Sequence, residues 1–172
     1  MLRKVLFVVV AALALIPTIT KADFKAGDLE LTLGGSGAAS KALTTSSQSI
    51  NGSLGYFLSK DLEVSLRQSA SYSKINHGGD LFSGSTRAAL DYHFDLGNFK
   101  PFVGGNIGYA YGTHGFTDTF EGGPEAGVKF FLNSTTFIYG EVEYQIFFRH
   151  GSGASFDKGS FVYSLGLGVL LK

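Results

Sequence analysis

The chain has no cysteine, one methionine and only three prolines in 172 residues. Without cysteine it can have neither a disulfide framework nor the lipidated cysteine of a bacterial lipoprotein. Charge is also scarce: Asp, Glu, Lys and Arg make up 16% of the chain, and 14 acids balance 14 bases. No block of one sign stands out, so a polyphosphate-binding surface, and nucleic acid as a partner, are not expected. The longest apolar run, Val5 to Ile16, is shorter than the roughly 20 residues a membrane-spanning helix needs. No linker and no low-complexity tail divide the chain. What remains in abundance is glycine (24), phenylalanine (16) and tyrosine (8), a composition suited to β-strands with aromatic faces and close backbone approaches.

The short apolar run has a specific context. Arg3 and Lys4 precede it, and Pro17 and the small-residue stop Thr20-Lys21-Ala22 follow it. This is the pattern of an export signal, expected to be cut after Ala22, so residues 1–22 are read as signal peptide and 23–172 as one domain. Removal takes Arg3, Lys4 and Lys21 and no acid, leaving 11 bases against 14 acids, a formal charge of −3.

Eight strands are predicted, at 28–36, 49–58, 62–73, 83–94, 100–111, 123–132, 137–149 and 160–171. The last is the clearest. Phe161, Tyr163, Leu165, Leu167, Val169 and Leu171 fall on one face, and Ser164, Gly166, Gly168 and Leu170 on the other. Thr86, Ala88, Leu90, Tyr92 and Phe94 alternate with Arg87, Ala89, Asp91 and His93. Ile138, Val142, Tyr144, Ile146 and Phe148 likewise alternate with Tyr139, Glu141, Glu143, Gln145 and Arg149. Connections alternate as well: those near Lys60, Gly97 and Ser134 are short, while 37–48, 74–82, 112–122 and 150–159 are longer. Pro124 cannot donate to a ladder and is expected at a rim or a bulge.

Alternation leaves open which face points outward, since a soluble lipocalin-like barrel would turn its apolar face in. Volume decides. Eight strands enclose a lumen just wide enough for side chains; the bulky apolar face fits lipid, and the face of Gly, Ala, Ser and a few charges fits inside. The expected fold is therefore all-β, an eight-stranded antiparallel up-and-down transmembrane β-barrel. Tyr56, Tyr92, Phe94 and Phe130 near the short turns, and Tyr72, Tyr109, Tyr111, Phe148 and Phe161 near the long loops, would form two interfacial girdles.

The signal segment, FKPFVGGNIGYAYG (99–112), EAGVKFFLNSTTFIYGEVEYQIFF (125–148) and the terminal SFVYSLGLGVLL together resemble small bacterial outer-membrane barrels, the OmpA-type transmembrane domain and the OmpX/Ail-like proteins. That resemblance implies an outer-membrane location with periplasmic short turns and extracellular long loops. It also implies insertion by the barrel-assembly machinery, contact with outer-membrane lipid and lipopolysaccharide, and a monomeric state.

The inward set contains Glu30, Glu63, Asp91, Glu125, Glu141 and Glu143 with Arg67, Arg87, Lys129 and Arg149, plus His93. In a narrow lumen isolated charges are costly, so these groups are expected to form a hydrogen-bonded ion network. Lys129 should lie opposite Tyr139 and diagonal to Glu141. Glu125 should lie near Glu143, a repulsive pair unless Arg67 or Arg87 reaches across.

Other chemistry finds little support. Asp91 and His93 share a face, and Ser65, Ser69 and Ser164 are inward, yet no motif joins them into a nucleophile and base. His77, His114 and His150 occupy three different loops without zinc spacing, so no metal site is expected. The glycines of GGNIGYAYG lie within a strand, not before a helix, so they form no phosphate loop, and no cofactor is expected. Asn133-Ser134-Thr135 is read as a turn rather than a glycosylation site. The reading is a non-catalytic barrel that contributes to envelope integrity or displays loops to a surface ligand not yet identified. A narrow channel and a lipid-modifying enzyme are the alternatives.

Overall fold

The computed structural model describes residues 22–39, 46–75, 79–113, 118–148 and 159–172. Eight antiparallel strands, β1 (Leu29–Ala39), β2 (Ser46–Phe57), β3 (Leu62–Ile75), β4 (Gly79–His93), β5 (Phe99–Gly112), β6 (Thr119–Phe131), β7 (Thr136–Phe148) and β8 (Ser160–Leu171), pair in sequence order. β8 returns to β1, from Leu29 opposite Leu171 to Gly35 opposite Leu165, and closes the barrel. Closure pairs the first and last strands, the condition for strands to cross hydrocarbon, with the β1–β8 ladder ending at Gly35 and Leu165 although β1 runs on to Ala39 and β8 begins at Ser160.

The predicted alternation holds. Thr86, Ala88, Leu90 and Tyr92 are exposed while Arg87, Ala89, Asp91 and His93 are buried. On β8, Leu165 is 70% exposed and Leu170, on the opposite face, only 1%. Large apolar side chains thus cover the outside. Rings gather at both ends of that surface, with Tyr92 edge-on to Phe94 near the short turns and Tyr109 edge-on to Phe120 near the long loops.

Strand limits differ from the sequence reading mainly at the long-loop end. β3 runs to Ile75 and β4 starts at Gly79, so the connection predicted at 74–82 shrinks to 76–78, as short as the turns at the other end. Lys74, Gly79 and Asp80, which suggested a loop, are spent on a hairpin extension, in which Lys74 pairs Asp80 and Tyr72 pairs Phe82. Asp28, Leu58, Phe94 and Leu132 fall just outside the strands.

Pro124 is neither at a rim nor at a bulge. It sits within β6 opposite Gly105 of β5, whereas the β6–β7 ladder skips from Gly122–Ile146 to Glu125–Glu143 with no residue inserted. The missing N–H is accommodated by leaving the ladder open on one side only. At the short turns, Gly97 adopts φ 79° and its N–H donates to Asp95 Oδ1 at 3.1 Å; a side chain there would be strained, as only glycine takes that backbone freely.

Candidate functional site: the lumen

Register builds the site. Glu63, Asp91, Gly104, Glu125 and Glu143 are successive cross-strand partners on β3 to β7, so four acids lie in one belt across the inner wall. Arg67, Arg87, Gly108 and Glu121 form the next belt toward the long loops. Like charges directly opposite one another repel, and the belt of acids is held by cations reaching in from both sides.

Arg67 is the hub. Its guanidinium contacts Asp91 Oδ2 at 2.7 Å, Glu125 Oε1 at 2.7 Å and Glu141 Oε1 at 2.9 Å. Arg87 binds Glu143 and stands 3.7 Å from Glu121. Glu125 and Glu143 do face each other. Their repulsion is answered by Arg67 on the first, Arg87 on the second, and Asn106, whose Nδ2 donates to both. Gly104 makes room in the belt: a Cβ there would collide with the Asp91 carboxylate and the Leu90 carbonyl.

Toward the short turns, Lys129 donates to Glu30 Oε1 at 2.6 Å, Glu30 Oε2 at 2.7 Å and Glu63 Oε2 at 2.8 Å. It lies opposite Tyr139 as expected from parity, but its ammonium pairs with β1 and β3 rather than with Glu141, which Arg67 takes. The rings of Phe24, Phe57, Phe102 and Phe137 surround the ammonium with centroids 5.5 to 5.7 Å away, a cation–π enclosure that suits a charge held away from water.

Beneath Lys129 the barrel mouth is closed by an aromatic cluster. Phe24, from the segment before β1, stacks on Phe57 at 4.1 Å and packs edge-on to Phe131 at 5.6 Å; Phe137 and Leu170 complete the plug. His93 is buried against Phe24, Phe57 and Phe102, with Nε2 3.3 Å from Glu63 Oε2. No serine hydroxyl bonds to its ring among the described residues, so the nucleophile–base arrangement of a hydrolase is not assembled there. Ser65 instead accepts from Arg67, and Ser69 pairs with Ser85.

Of the expected network, Glu30, Glu63, Arg67, Arg87, Asp91, His93, Glu125, Lys129, Glu141 and Glu143 all point inward and lie within this stack. Arg149 and the three loop histidines, His77, His114 and His150, lie outside the described residues. Sequence reasoning missed Glu121, because β6 was started at Gly123 although Glu121 shares its parity with Glu125 and Lys129. It also missed Lys100, which is buried and bonds Asp95 at 2.7 Å, and Asn106, whose amide links two acids. Above the Arg87 belt the lumen opens into a cavity of about 220 Å³ with Ser49, Ser71 and Gln145 among its walls.

The family model of the outer membrane protein beta-barrel domain matches residues 5–170. The chain belongs to that family. No curated protein sequence matches it. Among solved structures it is similar to the N-terminal β-barrel domain of Pseudomonas aeruginosa OprF, with 18% identity and a TM-score of 0.56 over 86% of this chain and 98% of that one. It is similar to Neisserial surface protein A, with 18% identity and a TM-score of 0.58 over 86% and 97%. The Yersinia pestis outer membrane protein Ail is a third, with 16% identity and a TM-score of 0.56 over 84% and 99%. At these identities the likeness concerns the fold. The outer membrane is thus the location of this barrel, and its apolar exterior is a lipid-facing surface.

Proposed function

We infer that the protein is a monomeric, non-conducting outer-membrane barrel that contributes to envelope integrity and presents its long-loop end for surface interactions. The observation that supports this most directly is the filled lumen. Lys129 with Glu30 and Glu63, then Arg67 with Asp91, Glu125 and Glu141, occupy successive levels of the interior, and Phe24 closes the mouth below them. A rigid closed cylinder is a scaffold, and scaffolds of this kind carry specificity on their loops. Export by a signal peptide cut after Ala22, insertion by the barrel-assembly machinery and packing against lipopolysaccharide belong to the same reading.

A narrow channel for small solutes is the second reading, and the cavity of about 220 Å³ at the long-loop end favours it. That cavity ends on Arg87, which is bound to Glu143, so passage would require the ion network to part. The test compares cells with and without the protein. Unchanged uptake of small solutes together with leakage of periplasmic enzymes in the deletion strain supports the scaffold reading. Reduced uptake without leakage supports the channel.

A further inference from the structure

The seam between the first and last strands is unfinished at the long-loop end. Its ladder stops at Gly35 and Leu165, yet both strands continue and stay paired on their other sides, Ser36–Ala39 with β2 and Ser160–Ser164 with β7. Over about four positions the two strands part, which makes a notch about 13 Å deep at about 3.3 Å per residue. Backbone groups left open at membrane depth are tolerated where they line a polar cavity. Such a cavity lies behind the notch. The chamber of about 220 Å³ above Arg87 is bordered by Gly35 of β1 and by Val162, Tyr163 and Ser164 of β8. Tyr163 belongs to the lipid face, 69% exposed, so the chamber reaches through the wall at this seam.

The two sides of the notch differ in chemistry. Inside, Ser49, Asn51, Ser71, Ser83, Ser85 and Gln145 line the chamber with hydroxyls and amides that both donate and accept. Its charged walls are Arg87, bound to Glu143, and Glu121, 3.7 Å from Arg87, so it offers an ionic ligand no uncompensated charge. Outside, Phe161 and Leu165 flank Tyr163 with exposures of 64% and 70%. They stand open because Leu165 faces a glycine, Gly35, and Phe161 and Tyr163 lie beyond the end of the ladder.

We propose that chamber and notch together bind a single-chain amphiphile from the membrane leaflet at the long-loop end. Its uncharged, hydroxyl-bearing head lies in the chamber, and its hydrocarbon chain leaves through the notch along Phe161, Tyr163 and Leu165. The chamber has room for one sugar ring or a glycerol, and a gap between two strands passes one chain. Hydroxyls on the head supply partners for the open backbone, which hydrocarbon alone cannot do. A phosphate or carboxylate head would bring charge to a place where Arg87 is already answered. The site lies above the ion network, so occupancy needs no path through the barrel.

The chain has no tryptophan, so Tyr163→Trp sets a single reporter at the notch, and Tyr109→Trp sets one on β5, across the barrel at the same end. Each mature barrel, in phosphatidylcholine vesicles, is titrated with decyl glucoside brominated on its chain, which quenches tryptophan on contact. Quenching should saturate at one amphiphile per barrel in Tyr163→Trp and rise without saturation in Tyr109→Trp. Added to Tyr163→Trp, Ser71→Phe fills the chamber and should abolish the saturable part. Gln145→Leu, close in volume, should weaken it about two- to tenfold, the loss of one hydrogen bond. The mobility of unheated samples on gels verifies that each variant is folded. Equal quenching of the two reporters would overturn the proposal, as would saturable quenching that is unchanged by the chamber substitutions. Brominated decane or brominated decyl phosphate that saturates as well as the glucoside would overturn it too, by showing that the head is not what is recognised or that it need not be uncharged.

Discussion

Lys129→Met should be among the most damaging single changes in the barrel, and its cost can be worked from the contacts. Glu30 and Glu63 are 1% and 2% exposed, so water cannot replace the lost ammonium. Three charge-assisted hydrogen bonds of 2.6 to 2.8 Å disappear together. Each is worth about 1.5–3 kcal/mol, but they share one donor and are not additive. The measured cost of breaking a buried pair from one side, about 3–5 kcal/mol, is the better guide. Methionine is unbranched and apolar and keeps the contacts with the four surrounding rings, so the loss reports charge rather than packing. The triple variant Lys129→Met, Glu30→Met, Glu63→Met removes the whole charge set and should recover to within about 1–2 kcal/mol of wild type, as replacement of buried ion groups by apolar residues of similar volume is often near neutral. Urea unfolding in lipid vesicles, followed by far-ultraviolet circular dichroism and gel mobility, measures both; the chain has no tryptophan to report by fluorescence. A single variant within about 1 kcal/mol of wild type would show that the lumen is wet enough to solvate both carboxylates, and the reasoning would fail.

Val142→Arg places a cation on the lipid face opposite Ala126 and Tyr163 and should cost about 2–4 kcal/mol if Val142 lies near the bilayer midplane, whereas Gln145→Ala on the inner face should cost less in the same unfolding assay. Phe24→Ala removes the ring stacked on Phe57 and should cost about 3–5 kcal/mol, the range for a buried phenylalanine, with equal midpoints for variant and wild type contradicting the plug. Gly104→Val drives a side chain into Asp91 and the Leu90 carbonyl and should cost at least about 1–3 kcal/mol, read as loss of the folded band on gels. Protease sites introduced near Gly115 and Gly153 should be cut on intact cells, and one at Ser134 only after the outer membrane is opened, because long connections of such barrels face outward.

The barrel was legible because side-chain parity survives errors in strand limits. Leu165 and Leu167 alternate with Gly166 and Gly168 whichever residue is taken as the first of β8. Limits were misread where polar and small residues extend a hairpin: Lys74, Gly79 and Asp80 resemble a loop in composition, yet they pair. The members of the lumen set were legible from parity too, but their partners were not. A cross-strand rule places Lys129 diagonal to Glu141, while the ammonium crosses the lumen to Glu30 and Glu63, residues 99 and 66 positions away. Such contacts depend on closure of the barrel, which no local pattern encodes. Phe24 was invisible for a related reason. It belongs to no strand, and only its fit against Phe57 and Phe131 reveals what it does.

Single-channel recording of the purified mature barrel in a planar lipid bilayer bears most directly on the claim that the lumen is closed. With the ion network and the Phe24 plug intact, wild type should give no discrete conductance steps at either polarity, even when insertion is verified by protease protection in matched vesicles. Reproducible steps from inserted wild-type protein would contradict the claim and make the barrel a channel.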